Sequence, residues 1–337
     1  MLRANAVETL SVMVKIVLNI PDRKDHSMTT TAEKVANIKS RLRVPAICAP
    51  MFLVTGPDMV IAACKSGVMG CFPATNARTM DQLREWLVRI DTEVTQNDAP
   101  WAMNMITHNS YGRFDEELEL VRHYKPDMVI TALGGPHRVA DVVHGYGGLV
   151  FADVNSPKFA QKAIEKGADG LVLVCSGAGG HTGEYAMIPF IEEVRHFFDG
   201  PIIVGGGIGT GRAIKAAEIL GADFAYLGTR FLATEESLIN DAYRQMVWDS
   251  TMEDLIASRA ITGALGNWMR ASVQAAGLSP EDMSATAKID FSQDMHEGTK
   301  AWKTVWSAGQ GVGLISQRET VAQVVDQLIA DYKKVTL

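Results

Sequence analysis

Several common signatures are missing from this chain. It has four cysteines in 337 residues and no C-x-x-C pair. Cys48, Cys64, Cys71 and Cys175 are scattered, three of them in apolar strand-like runs. That usage argues against a disulfide framework or a zinc site and fits buried thiols in a reducing, cytoplasmic compartment. No basic tract occurs, and the net charge is −7 with a pI near 5.6, which argues against nucleic acid or an anionic membrane as partner. The apolar stretch Leu10–Ile20 is short, is interrupted by Lys15 and has no small-residue cleavage site after it. It can neither span a bilayer nor serve as a secretion signal. A dinucleotide fingerprint is also missing. Gly205-Gly-Gly-Ile-Gly-Thr-Gly211 looks similar, but no frame in it reads G-x-G-x-x-G, and no ribose-binding acid follows the next strand.

What is present, after residue 40, is a strict alternation. Short apolar runs predict buried strands at Val44–Met51, Val68–Pro73, Trp101–Ile106, Met128–Leu133, Gly148–Val154, Gly170–Cys175, Pro201–Gly207 and Phe224–Phe231. Between them lie amphipathic stretches, with Pro57 and Pro157 suited to first helical turns and Gly67, Gly167 and Gly221 to helix stops. Eight strands joined by helices give an α/β fold, a (β/α)8 TIM barrel, in preference to an open doubly wound sheet. The repeat Gly167-Ala-Asp169 and Gly221-Ala-Asp223 suits that pattern. Residues 1–40 read as a leader of little fold content, 41–235 as the barrel and 236–300 as a helical cap. Residues 301–337 read as a C-terminal segment that returns to the barrel. Ser237–Trp248, Met252–Ser258 and Trp268–Ala276 are expected as cap helices, and Val321–Val335 as a helix that closes the barrel.

Active sites of such barrels lie at the C-terminal ends of the strands. That rule selects Ala49-Pro50-Met51, Asn104, Asp153, the run Ser176-Gly-Ala-Gly-Gly-His-Thr-Gly-Glu184, Gly205-Gly206-Gly207 and Gly228-Thr229. Glycine turns after strands seven and eight are where barrels hold a phosphate, because free N–H groups point at the anion. The site therefore reads as made for a mononucleotide phosphate. His181 follows four small residues at the rim, where imidazole suits proton transfer, and Thr182 and Glu184 are expected as its hydrogen-bonding neighbours. His108 and His137 are secondary candidates on the same face. Metal-dependent barrel hydrolases usually carry H-x-H at the end of strand one. Ala49-Pro50-Met51 offers no ligand there, and neither H-x-H nor H-E-x-x-H occurs anywhere in the chain, so no metal is expected.

Together, Ala49-Pro50-Met51, Ala178-Gly-Gly-His-Thr-Gly183, Gly205-Gly-Gly-Ile208, Gly228-Thr229 with Phe231, and Trp306-Ser-Ala-Gly-Gln310 resemble the nitronate monooxygenase family, formerly called 2-nitropropane dioxygenases. These are barrels that carry flavin mononucleotide (FMN). The resemblance spans roughly residues 44 to 313. It implies FMN as cofactor and His181 as the catalytic residue. Ala49, Pro50 and Met51 would back the flavin ring, with Asn104 near the ring or ribityl chain. Gly179 and Gly180 would lie close to the ring, and Ser176 is a further cofactor-binding candidate. Gly205, Gly206, Gly207, Gly228 and Thr229 would hold the phosphate, and Gln310 would return to the site from the tail. Several relatives place a lysine where this chain has Asp153-Val-Asn155, and an acid there disfavours an anionic reduced ring. The implied reaction oxidises an alkyl nitronate with O2 to a carbonyl compound and nitrite. An NAD(P)H-dependent quinone or enoyl-acyl-carrier reductase is the alternative. A homodimer fits this reading, as do partners limited to a small-molecule substrate and O2.

Overall fold

The structure, a computed structural model, describes residues 29–279, 282–284 and 303–336. Residues 1–28 of the expected leader and 285–302 of the expected cap and tail lie outside the described residues. Eight parallel strands close into a barrel: β1 (Ala46–Cys48), β2 (Met69–Pro73), β3 (Trp101–Ile106), β4 (Met128–Ala132), β5 (Leu149–Val154), β6 (Gly170–Val174), β8 (Ile202–Gly205) and β9 (Phe224–Leu227). The ring shuts where Ala46, Ile47 and Cys48 pair with Ala225, Tyr226 and Leu227. Inward-pointing Ile47, Met69, Ile130, Phe151, Val172, Ile203 and Phe224 fill the barrel interior, as layered packing of a closed parallel sheet requires. Phe151 fits because its register partner is Gly170. A Cβ on Gly170 would sit 2.2 Å from the Phe151 ring.

The Gly-Ala-Asp repeat has a definite task. Gly167 and Gly221 take positive φ, 85° and 96°, and turn the chain out of a helix. The aspartates that follow then cap the neighbouring strands: Asp169 Oδ2 accepts from the Val150 N–H at 2.7 Å, and Asp223 Oδ2 from the Ile202 N–H at 2.9 Å. Each carboxylate satisfies a strand donor that the ladder leaves open.

Residues 31–40, grouped with the leader in the sequence reading, form helix α1 (Thr31–Ser40), which buries Val35 and Ile38. These two side chains pack on the barrel's interior cluster. Lys39 pairs with Asp223 at 2.7 Å and Arg41 with Asp127 at 3.1 Å, just ahead of strands β9 and β4. The helix therefore plugs the N-terminal mouth. Its weak amphipathicity and polar composition hid it.

Around the barrel run α2 (Pro57–Ser66), α3 (Met80–Glu93), α4 (Phe114–Tyr124), α5 (His137–Gly145), α6 (Pro157–Glu165), α7 (Met187–Arg195) and α8 (Gly211–Ile219). After β9 come the short α9 (Thr229–Leu232) and α10 (Asp241–Asp249). The expected Met252–Ser258 helix is instead a 3-10 turn, capped by Thr251, followed by strand β10 (Leu255–Ser258). The expected Trp268–Ala276 helix splits into strand β11 (Gly266–Met269) and α11 (Arg270–Ala275). β10 and β11 form a small antiparallel sheet with β7 (Gly180–His181). Non-local strand pairing overrode local periodicity here. Finally α12 (Val321–Lys333) packs between α2 and α8 and serves as the barrel's eighth helix. Among the described residues no helix is long and apolar enough to cross a membrane.

Gly211 sets the fit of α12, since a Cβ there would lie 2.2 Å from the Leu328 carbonyl oxygen and the Tyr332 nitrogen. Replacing a helical glycine with alanine ordinarily gains up to about 1 kcal/mol. Gly211→Ala is expected instead to lose about 1–3 kcal/mol through overpacking against immovable backbone. Urea unfolding of the two proteins measures the difference.

Candidate active site

A cavity of about 490 Å³ opens at the C-terminal ends of the strands, a size that suits a small-molecule or cofactor site. Ala49, Pro50, Met51, Asn104, Asp153, Gly179, Gly180, His181, Gly205, Gly206, Gly207, Gly228 and Thr229 line it. Ser176 and Gln310 stand just behind the wall. The Ser176 N–H donates to the Tyr185 carbonyl at 2.7 Å, and the Gln310 N–H to the Gly177 carbonyl at 2.9 Å. His108 lies outside the cavity lining, bonded through Nδ1 to the Ser110 hydroxyl at 2.7 Å. His137 is also outside, with its ring over Gly135.

The loop that carries His181 is held from three sides. Asn267 Nδ2 donates to the Ala178 carbonyl at 2.7 Å. The Thr182 hydroxyl donates to the Cys175 carbonyl at 3.1 Å. The returning tail presses on Gly179, where a Cβ would meet the Gly309 nitrogen at 2.7 Å and Thr229 Oγ1 at 3.1 Å. The smallness of Gly179 thus makes room for the tail. Gly180 turns with φ of 70° and enters β7, whose pairing with β11 sets His181 opposite Gly266. His181 Nε2 lies 3.1 Å from Thr262 Oγ1. Thr182 and Glu184, the expected partners, are engaged elsewhere, Glu184 with Arg259 at 3.0 Å. Burial lowers the His181 pKa to about 4, because a low-dielectric setting penalises the cation. The imidazole is neutral at physiological pH.

Beyond strand β8, Gly206 and Gly207 adopt φ of 145° and 72°. A Cβ on Gly206 would lie 2.9 Å from Cys175 Cβ, whereas one on Gly207 would face nearly open space. Among the described residues, no hydrogen bond takes the N–H of Gly206, Gly207 or Gly209. Helix α8 follows, capped by the Thr210 hydroxyl. After β9, Thr229 Oγ1 accepts from the Gly309 N–H at 2.8 Å. Arg230 lines the cavity but commits its guanidinium to Glu319 and Gln327, each at 2.7 Å. This corner therefore offers backbone donors to an anion.

The turn after β1 is built around Asn76. Its side chain accepts from the Leu53 N–H at 2.8 Å and donates to the Met51 and Thr55 carbonyls at 2.9 and 2.8 Å. Leu53 is held at φ of 59°, and Leu133 after β4 at 55°. Both line the cavity. Non-glycine residues in that region cost of order 1–3 kcal/mol and gather at functional sites.

Asn104 Nδ2 donates to the Ile130 carbonyl at 3.2 Å and to Asp153 Oδ2 at 3.4 Å. Burial raises the Asp153 pKa to about 7, with the Asn104 bond opposing.

The sequence profile of nitronate monooxygenases matches residues 76–331. The chain belongs to the nitronate monooxygenase family. It is an oxidoreductase of a flavoprotein family. A nitronate monooxygenase of Paraburkholderia phytofirmans is 27% identical over 345 residues, covering 86% of this chain and 92% of that protein. A relative in Rhodococcus jostii, (3aS,4S,5R,7aS)-5-hydroxy-7a-methyl-1-oxo-octahydro-1H-indene-4-carboxyl-CoA dehydrogenase, is 26% identical over 219 residues. That match takes in 65% of this chain but only 60% of the relative. Among solved structures, a nitroalkane oxidase from Streptomyces ansochromogenes superposes with a TM-score of 0.74 at 21% identity, covering 88% of this chain and 98% of that one. FabK from Thermotoga maritima gives 0.74 at 22%, covering 89% and 96%. These two likenesses speak to the fold.

Around this family's barrel mouth, sequence reasoning missed Tyr226, Asn240, Tyr243, Thr262 and Asn267. Tyr243 stacks on Trp306 with ring centroids 4.8 Å apart and planes 7° from parallel, and its hydroxyl bonds the Ser307 backbone. Of these, Tyr226 carried a signal, as a polar ring in an otherwise apolar strand. Asn76 was equally silent in the sequence. Asn76→Ala would leave the Leu53 N–H and the Thr55 carbonyl unmatched, each costing about 1–3 kcal/mol if it stays dry, while the Met51 carbonyl keeps the Val54 and Thr55 N–H groups. Urea unfolding should show a loss of at least about 2 kcal/mol.

Proposed function

We propose that the chain oxidises alkyl nitronates with bound FMN and O2, yielding a carbonyl compound and nitrite. The observation that carries this reading is a neutral imidazole, His181, on the wall of the same cavity as the Gly206–Gly209 turn with its unengaged N–H groups. FMN fits the residues present. Its phosphate would be held by the N–H groups of Gly206, Gly207 and Gly209, with Gly205, Gly228 and Thr229 alongside. Its ring would rest on Ala49, Pro50 and Met51, with Asn104 and Asp153 at its polar edge. Gly179, Gly180, Ser176 and Gln310 would shape the loop beside it. When bound, FMN supplies the electron-accepting chemistry toward substrate and O2.

The protein's own part is proton transfer and positioning. Neutral His181 takes the α-proton of a nitroalkane, leaving a nitronate anion beside an imidazolium. The new cation then steadies the anion's oxygens. Thr262 holds the ring through Nε2. Leu53, Ile106 and Leu133 give the cavity apolar walls. The four buried free cysteines suit a cytoplasmic setting.

His181→Asn should lower turnover of neutral nitroalkanes by roughly 10²–10⁴-fold, while FMN binding stays unchanged and preformed nitronates lose far less. Unaltered nitroalkane turnover would remove His181 from the role. Because the imidazole is the base only when unprotonated and its pKa is about 4, nitroalkane turnover should hold through pH 5–6. It should fall only near pH 4, where a histidine of ordinary pKa would already have failed near 6.5.

A second reading rests on the relative named as a carboxyl-CoA dehydrogenase: the same cofactor, reduced by NADH or NADPH, would serve a quinone or an unsaturated thioester. Anaerobic mixing separates the two. Bleaching of the flavin by a nitronate but not by NAD(P)H supports nitronate oxidation; rapid bleaching by NAD(P)H supports the reductase.

A further inference from the structure

We propose that Thr262 is a positioning residue that fixes the tautomer of His181: Nε2 carries the ring proton and donates it to Thr262 Oγ1, so that Nδ1 holds the basic lone pair. The inference rests on the reading of His181 as the base and adds which of its nitrogens takes the proton. A threonine hydroxyl has one proton to give and lone pairs with which to accept. Thr262 Oγ1 stands 3.3 Å from the Ala264 carbonyl and 3.1 Å from His181 Nε2. The carbonyl can only accept, and among the described residues it takes no other hydrogen bond. The hydroxyl proton therefore goes to Ala264, and the oxygen meets the ring as an acceptor. Only the Nε2–H tautomer completes that chain. The opposite polarity would leave the Ala264 carbonyl without its donor. It would also occupy the one lone pair of the neutral imidazole, leaving no base.

The hydroxyl is held where this bond needs it. Thr262 lies in the loop between β10 and β11 and is buried. Three contacts tie that loop to the segment that carries His181. The Thr182 N–H donates to the Leu265 carbonyl at 2.9 Å, Arg259 pairs with Glu184 at 3.0 Å, and Gly266 lies opposite His181 in the β7–β11 ladder. Within the loop the Gly263 N–H donates to the Arg259 carbonyl at 2.9 Å. Ring and hydroxyl are thus fixed relative to one another, and the bond made at one ring nitrogen decides the state of the other. The arrangement suits the step. When Nδ1 takes the α-proton of a nitroalkane, the C–H electron pair passes into the nitro group, giving a nitronate anion and an imidazolium. The Nε2–H stays in place, and its bond to Thr262 strengthens as the ring becomes cationic. Burial opposes that cation, and an acceptor already set at Nε2 offsets part of the cost.

Nitrogen-15 spectra of the full-length chain with FMN added and histidine labelled test this, the His181 signals being assigned by their loss in His181→Asn. At neutral pH the wild-type Nε2 should give the shift of a protonated, pyrrole-type nitrogen, and Nδ1 that of an unprotonated, pyridine-type one. Thr262→Val, a replacement of nearly the same shape, should move both shifts toward those of a mixture of tautomers. The same variant should lower kcat for nitroalkanes about ten- to a hundredfold with KM little changed. Thr262→Ser should restore both the spectra and kcat. A proton on Nδ1 in the wild-type protein, or Thr262→Val spectra identical to the wild type's, would overturn the proposal. Unaltered nitroalkane turnover by His181→Asn would overturn the base reading itself, and with it this role for Thr262, whatever the spectra show.

Discussion

Gly179 and Gly309 pass each other backbone against backbone, and the Thr229 hydroxyl accepts the Gly309 N–H beside them. Three separate parts of the chain meet in that contact: the loop after strand β6, the turn after β9, and the tail that returns after the cap. A side chain on either glycine would strike main-chain atoms, which cannot rotate aside. The bond from the Gln310 N–H to the Gly177 carbonyl extends the contact one residue along the tail and two along the loop. Asn267 then fixes the next carbonyl, at Ala178. The position of His181 follows from these constraints, because β7 begins where they end.

The cavity so formed is short of charge. Burial drives the imidazole of His181 down and the carboxyl of Asp153 up, past each other on the pH scale. One cause gives two opposite shifts, since desolvation opposes a cation and an anion alike. Arg230 lines the wall but spends its charge on Glu319, away from the site. An anionic ligand therefore meets mainly backbone dipoles and neutral groups, with Lys303 as the further cation on the wall. Such a site favours binding that brings its own charge and pairs it with N–H groups or with a proton moved onto histidine.

The barrel was legible because a buried parallel sheet writes itself as separate apolar runs with helices between. Strand β3 was read to its ends, Trp101–Ile106. The last strand was read too long, since Phe224–Phe231 contains a turn at Gly228 and a helix from Thr229. The cap was misread where β10 and β11 pair with β7, a partner far away in sequence that local periodicity cannot reveal. Helix α1 was missed because only Val35 and Ile38 face inward. At the site, glycines and His181 stood out as unusual residues at strand ends. Asn76, Thr262 and Tyr243 did not, because their importance lies in what they bond, and those partners come from other elements.

The last piece of the barrel is also the last to be synthesised. α12 covers the faces of α2 and α8, and the Arg230–Glu319 pair clasps it to the turn after β9. A nascent chain leaving the ribosome therefore carries an open seam beside Gly211 until residues 321–333 have cleared the exit. During that interval the apolar stripes of α2 and α8 are bare, and docking waits on the slowest kind of closure, between segments remote in sequence. Closure of the barrel therefore waits for α12, and a chain cut before it would lack the strip that seals the ring.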